Sequence, residues 1–166
     1  MRTRGTVDLR LAAVALTAVL AGCAGKPNSV PASKAAGHCP VTAPGGKVPH
    51  TSDGFNYGNG SLGVTLWPKG KLVAGRLPDG SSYAETRSDG SIQAKLGWWR
   101  AVEGQLRIEG KRLDAPAPPL RAYIPDGYGP TGFQATGLTF PAQGCWKVAG
   151  SLGRARLTFV VLVRKH

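Results

Sequence analysis

Cysteine is the residue type in this chain with the most chemistry open to it. The three cysteines, Cys23, Cys39 and Cys145, stand in different sequence contexts. Cys23 ends an apolar run near the N-terminus, Cys39 follows a stretch of small and polar residues, and Cys145 stands directly before a tryptophan. A cysteine thiol can pair in a disulfide, ligate a metal ion or carry an acyl group. We therefore infer the role of each cysteine from the residues around it.

The first 22 residues have the order of a secretory signal peptide. Three arginines stand in the first ten residues, an apolar run covers residues 11–20, and Ala21 and Gly22 come directly before Cys23. A membrane-spanning helix needs roughly 18 or more apolar residues, and this run is about half that length. We therefore predict a signal peptide over residues 1–22 and disfavour the alternative of a spanning anchor.

The segment Leu20-Ala21-Gly22-Cys23 resembles the lipobox of bacterial lipoproteins. The resemblance implies that Cys23 becomes the first residue of the mature protein, with a diacylglyceryl group and often an amide-linked third acyl chain. Stable anchoring takes more than one acyl chain, and such a group meets that requirement. The alternative is an ordinary secretory signal followed by a cysteine by chance. On the lipoprotein interpretation, the protein is anchored in the cell membrane and exposed on its extracytoplasmic side.

With Cys23 assigned to a lipid, Cys39 and Cys145 remain as a pair. An even pair of cysteines in an exported chain is typical of a disulfide. The alternative is a metal site, for which His38, Cys39 and the distant Cys145 make a poor ligand set. We therefore predict a disulfide between Cys39 and Cys145, with no metal and no other cofactor.

The sequence Trp98-Trp99-Arg100 is the best candidate for recognition. Adjacent side chains of a strand point to opposite faces, so one tryptophan can lie in the core while its neighbour faces outward. An outward tryptophan beside an arginine can stack on sugar rings or hold anionic groups. Tyr128, in a glycine- and proline-rich loop expected over residues 125–137, joins this candidate binding set. The alternative is burial of both tryptophans, one inside the sandwich and one beneath a connecting loop.

Catalytic chemistry has little support in the sequence. The three histidines, His38, His50 and His166, fall outside the patterned apolar segments where an acid could orient them. Glycoside hydrolysis needs a pair of carboxylates, and strand alternation gives no reason for two of the acidic residues to converge. We therefore predict that the protein is not an enzyme.

The elements that position these residues are short strands. From Ser61 onward, short apolar stretches alternate with turn signals such as Pro78-Asp79-Gly80 and Ser88-Asp89-Gly90. Residues 24–38 are small, polar and interrupted by proline, which is typical of a flexible tether. We predict a lipidated cysteine and tether over residues 23–38 and an all-β domain over residues 39–166.

The last segments of the chain favour an immunoglobulin-like β-sandwich. Ser151-Leu152-Gly153 is expected to join two strands as a hairpin, and the final strand has one apolar face. A proline corner, a cysteine-bearing strand and a long apolar final strand are similar to the end of such a sandwich. Because Cys39 lies at the start of the domain, the disulfide is not expected to reproduce the central inter-sheet bridge of antibody domains. The apolar face of the final strand consists of Leu157, Phe159, Val161 and Val163.

Several segments of the domain resemble a family of uncharacterised bacterial lipoproteins. Phe140-Pro141-Ala142-Gln143-Gly144-Cys145-Trp146 is the most specific of them. The resemblance implies an exported, anchored, immunoglobulin-like domain, and it supplies no catalytic residue. The other matching segments are Cys39-Pro40-Val41-Thr42, Tyr57-Gly58-Asn59-Gly60, Leu66-Trp67-Pro68, Trp98-Trp99-Arg100 and Tyr128-Gly129-Pro130.

The formal net charge is +12 for the full chain and +10 without residues 1–22, and this excess of basic residues points to an anionic partner. An exported protein seldom meets nucleic acid, so anionic lipid headgroups and acidic wall polymers are the favoured partners. The alternative is that the charge only keeps the domain soluble. The sequence thus predicts a membrane-anchored, non-enzymatic binding or structural module of the cell envelope. The alternative function is an accessory or sensor domain that regulates a wall enzyme or membrane partner through the Trp98/Trp99 face and the Tyr128 loop.

Overall fold

A computed structural model describes residues 38–50, 54–76 and 80–166 of the chain. The predicted signal peptide, the predicted lipidation site at Cys23 and all but the last residue of the predicted tether lie outside the described residues. Within the described part, no helix is long and apolar enough to cross a membrane.

The described residues form eleven strands and no α-helix, which confirms the all-β class. A single 3₁₀ turn covers Pro68–Gly70. The strands are β1 Gly45–Lys47, β2 Tyr57–Asn59, β3 Leu62–Val64, β4 Lys71–Ala74, β5 Ala84–Thr86, β6 Ile92–Arg100, β7 Leu106–Arg112, β8 Arg121–Tyr123, β9 Gly132–Phe140, β10 Gly144–Leu152 and β11 Ala155–Lys165.

The strands pack as two layers, in agreement with the predicted β-sandwich. In the first layer, β6 pairs with β9 along one edge, and β3 and β5 share its other edge. β8 continues this layer beyond β9. In the second layer, β10 lies between β7 and β11, and β4 pairs in parallel with the end of β11. A short parallel contact between β4 and β5 joins the two layers along one side.

The core forms because strands of both layers turn an apolar face inward. In β11, Leu157, Phe159, Val161 and Val163 are all at most 3% exposed, as the alternation predicts. The hairpin between β10 and β11 is also confirmed. Its turn is shifted from the predicted position, since β10 extends to Leu152 and residues 153–154 connect the strands. Gly153 adopts a φ of 55°, which suits the first central position of a type II′ turn.

The loop predicted over residues 125–137 is wrong in its second half, because β9 already begins at Gly132. The usual polarity pattern is inverted there. Gln134 and Thr136 face inward and are buried, whereas Phe133 faces outward. Gln134 Nε2 donates to the Pro125 carbonyl at 3.2 Å and Thr136 Oγ1 donates to the Leu96 carbonyl at 3.0 Å, whereas Gln134 Oε1 is buried without a hydrogen-bond partner among the described residues. A strand with polar residues inside and an aromatic residue outside does not show the alternation that predicts strands.

The predicted disulfide is present and fixes the start of the domain to the second layer. Cys39 precedes β1, and its sulfur is bonded to that of Cys145 on β10. The bridge therefore does not link the centres of two sheets, which agrees with the expectation from the position of Cys39 at the start of the domain. Next to it, the Thr42 backbone amide donates to the Val160 carbonyl, and the Val160 amide donates to the Thr42 hydroxyl. The segment after Cys39 thus adds hydrogen bonds to the edge of β11.

Side chains complete the same edge of β11. Tyr57 Oη donates to the Thr158 carbonyl at 3.0 Å, and Asn59 Nδ2 donates to the Arg156 carbonyl at 2.9 Å. Asn59 Oδ1 also accepts from the Ser61 amide, which is an Asx turn. These bonds cover backbone groups that an open edge would present to other chains.

Candidate functional site

Trp98 belongs to the core and does not reach the surface. Its side chain is fully buried, and its ring centroid lies 6.3 Å from that of Phe159 in the facing layer. A Cβ atom added to Gly150 would lie 2.3 Å from Cη2 of Trp98, so the ring rests directly on the Gly150 backbone. The predicted role of Trp98 in binding is thus replaced by a role in packing.

Trp99 faces outward and is half-buried beneath neighbouring segments. Its ring stacks on that of His50, with the centroids 3.9 Å apart and the planes inclined by 16°. Phe55 meets it edge-on, with 5.9 Å between the centroids. This pair of positions, one tryptophan in the sandwich and one under a connecting segment, is the alternative that the sequence had left open.

Arg100 holds the Tyr128 loop in place and is not exposed to solvent. The side chain is 4% exposed, and its Nη2 donates to the Gly129 carbonyl at 2.5 Å and to the Thr131 carbonyl at 3.4 Å. The backbone thus holds Nη2 of the guanidinium, while Nε is buried without a hydrogen-bond partner among the described residues. It positions residues 124–131 against the end of β6, whereas the sequence had suggested that it could hold an anion.

Phe133 is the surface residue that sequence reasoning missed. Its side chain is 49% exposed, and it contacts Tyr128, which is 38% exposed, with 6.1 Å between the ring centroids. On its other side, Phe133 lies 6.3 Å from Phe55. Gly97 makes room for the ring, because a Cβ atom there would lie 2.9 Å from Cε2 of Phe133. No local sequence signal indicates Phe133, because its strand lacks the apolar alternation and its pairing with Trp99 on β6 is visible only in the structure.

These rings form one continuous surface, which we call the aromatic cluster. Its members come from the segment before β2, from β6, from the loop after β8 and from β9. Phe55 and Trp99 form its base, and Tyr128 and Phe133 are its exposed part. The cluster consists of His50, Phe55, Trp99, Tyr128 and Phe133.

Among the described residues, three carboxylates have shifted pKa values, and local partners explain each shift. The Ser91 hydroxyl donates to Asp89 and lowers its pKa, with a further contribution from the Ser91 amide. A hydrogen bond from Arg156 lowers the pKa of Glu109. Burial raises the pKa of Asp114, but the Arg112 side chain and the Cys145 backbone outweigh it, so the net shift is downward. The described residues contain no group of three or more His, Cys, Asp or Glu side chains that could hold a metal ion.

Comparison of the sequence with known proteins yields no match, either among family models or among curated proteins. The resemblance to bacterial lipoproteins therefore remains a prediction from the motifs. The aromatic cluster and the surface beside it are the features of the described domain from which a function can be argued.

Proposed function

We propose that this protein is a non-enzymatic binding module of the cell envelope, anchored in the membrane through a lipid on Cys23. The signal-like N-terminus and the segment ending at Cys23 support the anchor. The Cys39–Cys145 disulfide supports an extracytoplasmic location, because disulfides persist in oxidising compartments. The proposed ligand is an anionic polymer of the cell wall.

The observation that carries the proposal is the exposure of Phe133 on β9 and of Tyr128 on the loop beside it. When a ligand covers large aromatic side chains, much apolar surface is removed from water, and such side chains therefore dominate the energetics of binding surfaces. Here Phe133 is held by β9, and Tyr128 is held by a loop that Arg100 fixes to β6. The surface is thus already ordered before a ligand arrives, which lowers the entropic cost of binding.

The charge of the chain supports an anionic ligand. Residues 1–22 carry three arginines and one aspartate, so the net charge of +12 becomes +10 once they are removed, and such a charge attracts polyanions over distances of about 10 Å at moderate salt. Contacts of exposed charges weaken as salt rises, whereas aromatic contacts do not. A polymer held by both kinds of contact should therefore lose part of its affinity at high salt and nearly all of it when the rings are removed as well.

Co-sedimentation of the full chain with purified cell-wall polymer, in non-ionic detergent and from low to high salt, tests the proposal. The double variant Phe133→Ala, Tyr128→Ala is expected to bind about tenfold more weakly than the wild type, which corresponds to about 1.4 kcal/mol. Leu113→Ala is the matched control, since Leu113 is 41% exposed but lies after β7, outside the aromatic cluster. Its binding is expected to equal that of the wild type.

Two results would overturn the proposal. The wild type could stay in the supernatant at every salt concentration, which would remove the wall polymer as a ligand. Alternatively, the double variant could sediment as well as the Leu113→Ala control, which would show that the aromatic cluster is not the binding surface.

A further inference from the structure

A groove of about 540 Å³ lies on the outer face of the first layer. Its size falls in the range of sites that bind small molecules or segments of a polymer. The side chains that shape it come from β5, β6 and β8 and from the residue just before β5, and they are Tyr83, Glu85, Gln93, Lys95 and Tyr123.

The floor of the groove is made of residues with little or no side chain. In the register of the sheet, Gly137 on β9 lies between Lys95 on β6 and Tyr123 on β8. Two residues further along the strands, on the same face of the sheet, Ala135 pairs with Gly97. A Cβ atom at Gly137 would lie 3.6 Å from Cβ of Tyr123, in the space beside the ring. The absence of larger side chains leaves a depression between strands that are otherwise regular.

Two tyrosines stand on opposite sides of this floor. Tyr123 is 71% exposed and Tyr83 is 45% exposed, which is a large exposure for aromatic residues. A tyrosine offers an apolar ring and a polar hydroxyl. A sugar ring has complementary chemistry, because its C–H groups form apolar faces and its hydroxyls lie around the edge. The two tyrosines can therefore cover the faces of a sugar while hydroxyls bond to polar groups nearby.

The polar groups of the groove suit an acidic sugar. Lys95 is exposed at the centre of the row that holds Gly137 and Tyr123, and it forms no ion pair among the described residues. Gln93 and Glu85 lie opposite each other in the next row; Gln93 Oε1 accepts from Arg87 Nη1 at 2.8 Å, so the Gln93 amide NH2 group and the Glu85 carboxylate are the groups available to hydroxyls. An unpaired ammonium group in a site otherwise matched to a sugar favours a carboxylate on the ligand.

The groove continues past the first cavity, which favours a chain over a single sugar. A second cavity of about 330 Å³ shares Tyr83 and Lys95 with the first and extends to Trp67 and Pro68. The two cavities are therefore neighbours on β6, with Tyr83 and Lys95 lining both. A linear ligand that passes over these two side chains can reach both cavities.

We propose that this groove binds a glycan chain that carries carboxylate groups, with sugar rings against Tyr83 and Tyr123 and a carboxylate at Lys95. The inference rests on the proposed function, since it names the chemical class of the wall polymer. It also adds a second contact region beside the aromatic cluster on the same layer.

Isothermal titration calorimetry of the full chain with two soluble probes tests the inference. One probe is a tetrasaccharide of alternating N-acetylglucosamine and N-acetylmuramic acid, and the other is neutral chitotetraose, which lacks the lactyl carboxylates. Tyr123→Ala is expected to weaken binding of both probes about tenfold. Lys95→Gln is expected to weaken only the acidic probe and so to abolish the difference between the two. Lys147→Gln, an exposed lysine on β10, is the matched control and should leave both affinities unchanged.

Since the Tyr123 ring is mostly exposed, its variant should keep the thermal midpoint of the wild type, which separates loss of binding from loss of fold. Unchanged affinity of Tyr123→Ala for both glycans would overturn the inference. Binding of a proline-rich decapeptide by the wild type, without binding of either glycan, would also overturn it. If the wall polymer still sediments the chain in a Phe133-dependent way after either result, the proposed function stands without the groove. If the chain binds neither wall polymer nor glycan, both proposals fail.

Discussion

Replacing the disulfide by the pair Cys39→Ser, Cys145→Ser is expected to lower the free energy of unfolding by about 4–5 kcal/mol. The two cysteines are 106 positions apart, so the bridge closes almost the whole domain into one loop. Without it, the unfolded chain gains the conformational freedom that the loop removes. The bridge also holds the Thr42 segment against β11, where the Thr42 amide and hydroxyl bond to Val160.

Urea unfolding of the full chain measures this effect as a shift of the midpoint. Both the double variant and its reference chain carry Cys23→Ser, so that neither is lipidated and the bridge is the only difference between them. A loss of less than about 1 kcal/mol in the double variant would show that the disulfide adds little to the stability of the domain.

The second large effect is expected at the contact between Trp98 and Gly150. Trp98→Ala should cost about 3–5 kcal/mol, because it removes the largest buried side chain of β6 and leaves a cavity between the layers. Gly150→Ala should cost about 1–3 kcal/mol, because the added methyl group has no space beneath the ring.

The double variant Trp98→Ala, Gly150→Ala tests whether the two residues are in direct contact. In the absence of the indole ring, the methyl group added at position 150 no longer meets an obstacle, so the combined cost should be smaller than the sum of the single costs. Strictly additive costs, measured by urea unfolding of all three variants, would contradict the direct contact. Trp146→Phe is a useful comparison, since Trp146 is equally buried but packs on Phe140.

Local patterns in the sequence were sufficient to predict much of the fold. The alternation of Leu157, Phe159, Val161 and Val163 predicted the inner face of β11, and the pairing of Cys39 with Cys145 followed from the number of cysteines and the predicted export signal. These predictions depend only on residues that are close together in the sequence or on the number of cysteines. The sequence also showed that Trp98 and Trp99 lie on opposite faces. It could not show which of them is inside, since that depends on Gly150 and Phe159 in the other layer.

The proposed binding surface could not be predicted from the sequence, because it depends on contacts between distant segments. Phe133 pairs with Trp99 on another strand, and its outward direction follows from two polar residues that face the core. The groove arises where Gly137 lies between Lys95 and Tyr123, a row that brings three strands together. The residues next to Tyr123 in the sequence do not indicate that Tyr123, Gly137 and Lys95 lie side by side in the sheet.

The lipid anchor on Cys23 is the part of the proposed function on which the location of the protein at the cell envelope depends. Mass spectrometry of the N-terminal peptide, from full chain expressed in bacteria and purified from the membrane fraction, tests it most directly. We predict a mature N-terminus at Cys23 that carries a diacylglyceryl group, and we predict that Cys23→Ser loses both the lipid and the membrane association. An N-terminus elsewhere, or an unmodified Cys23 in a chain that leaves the membrane fraction, would contradict the anchor.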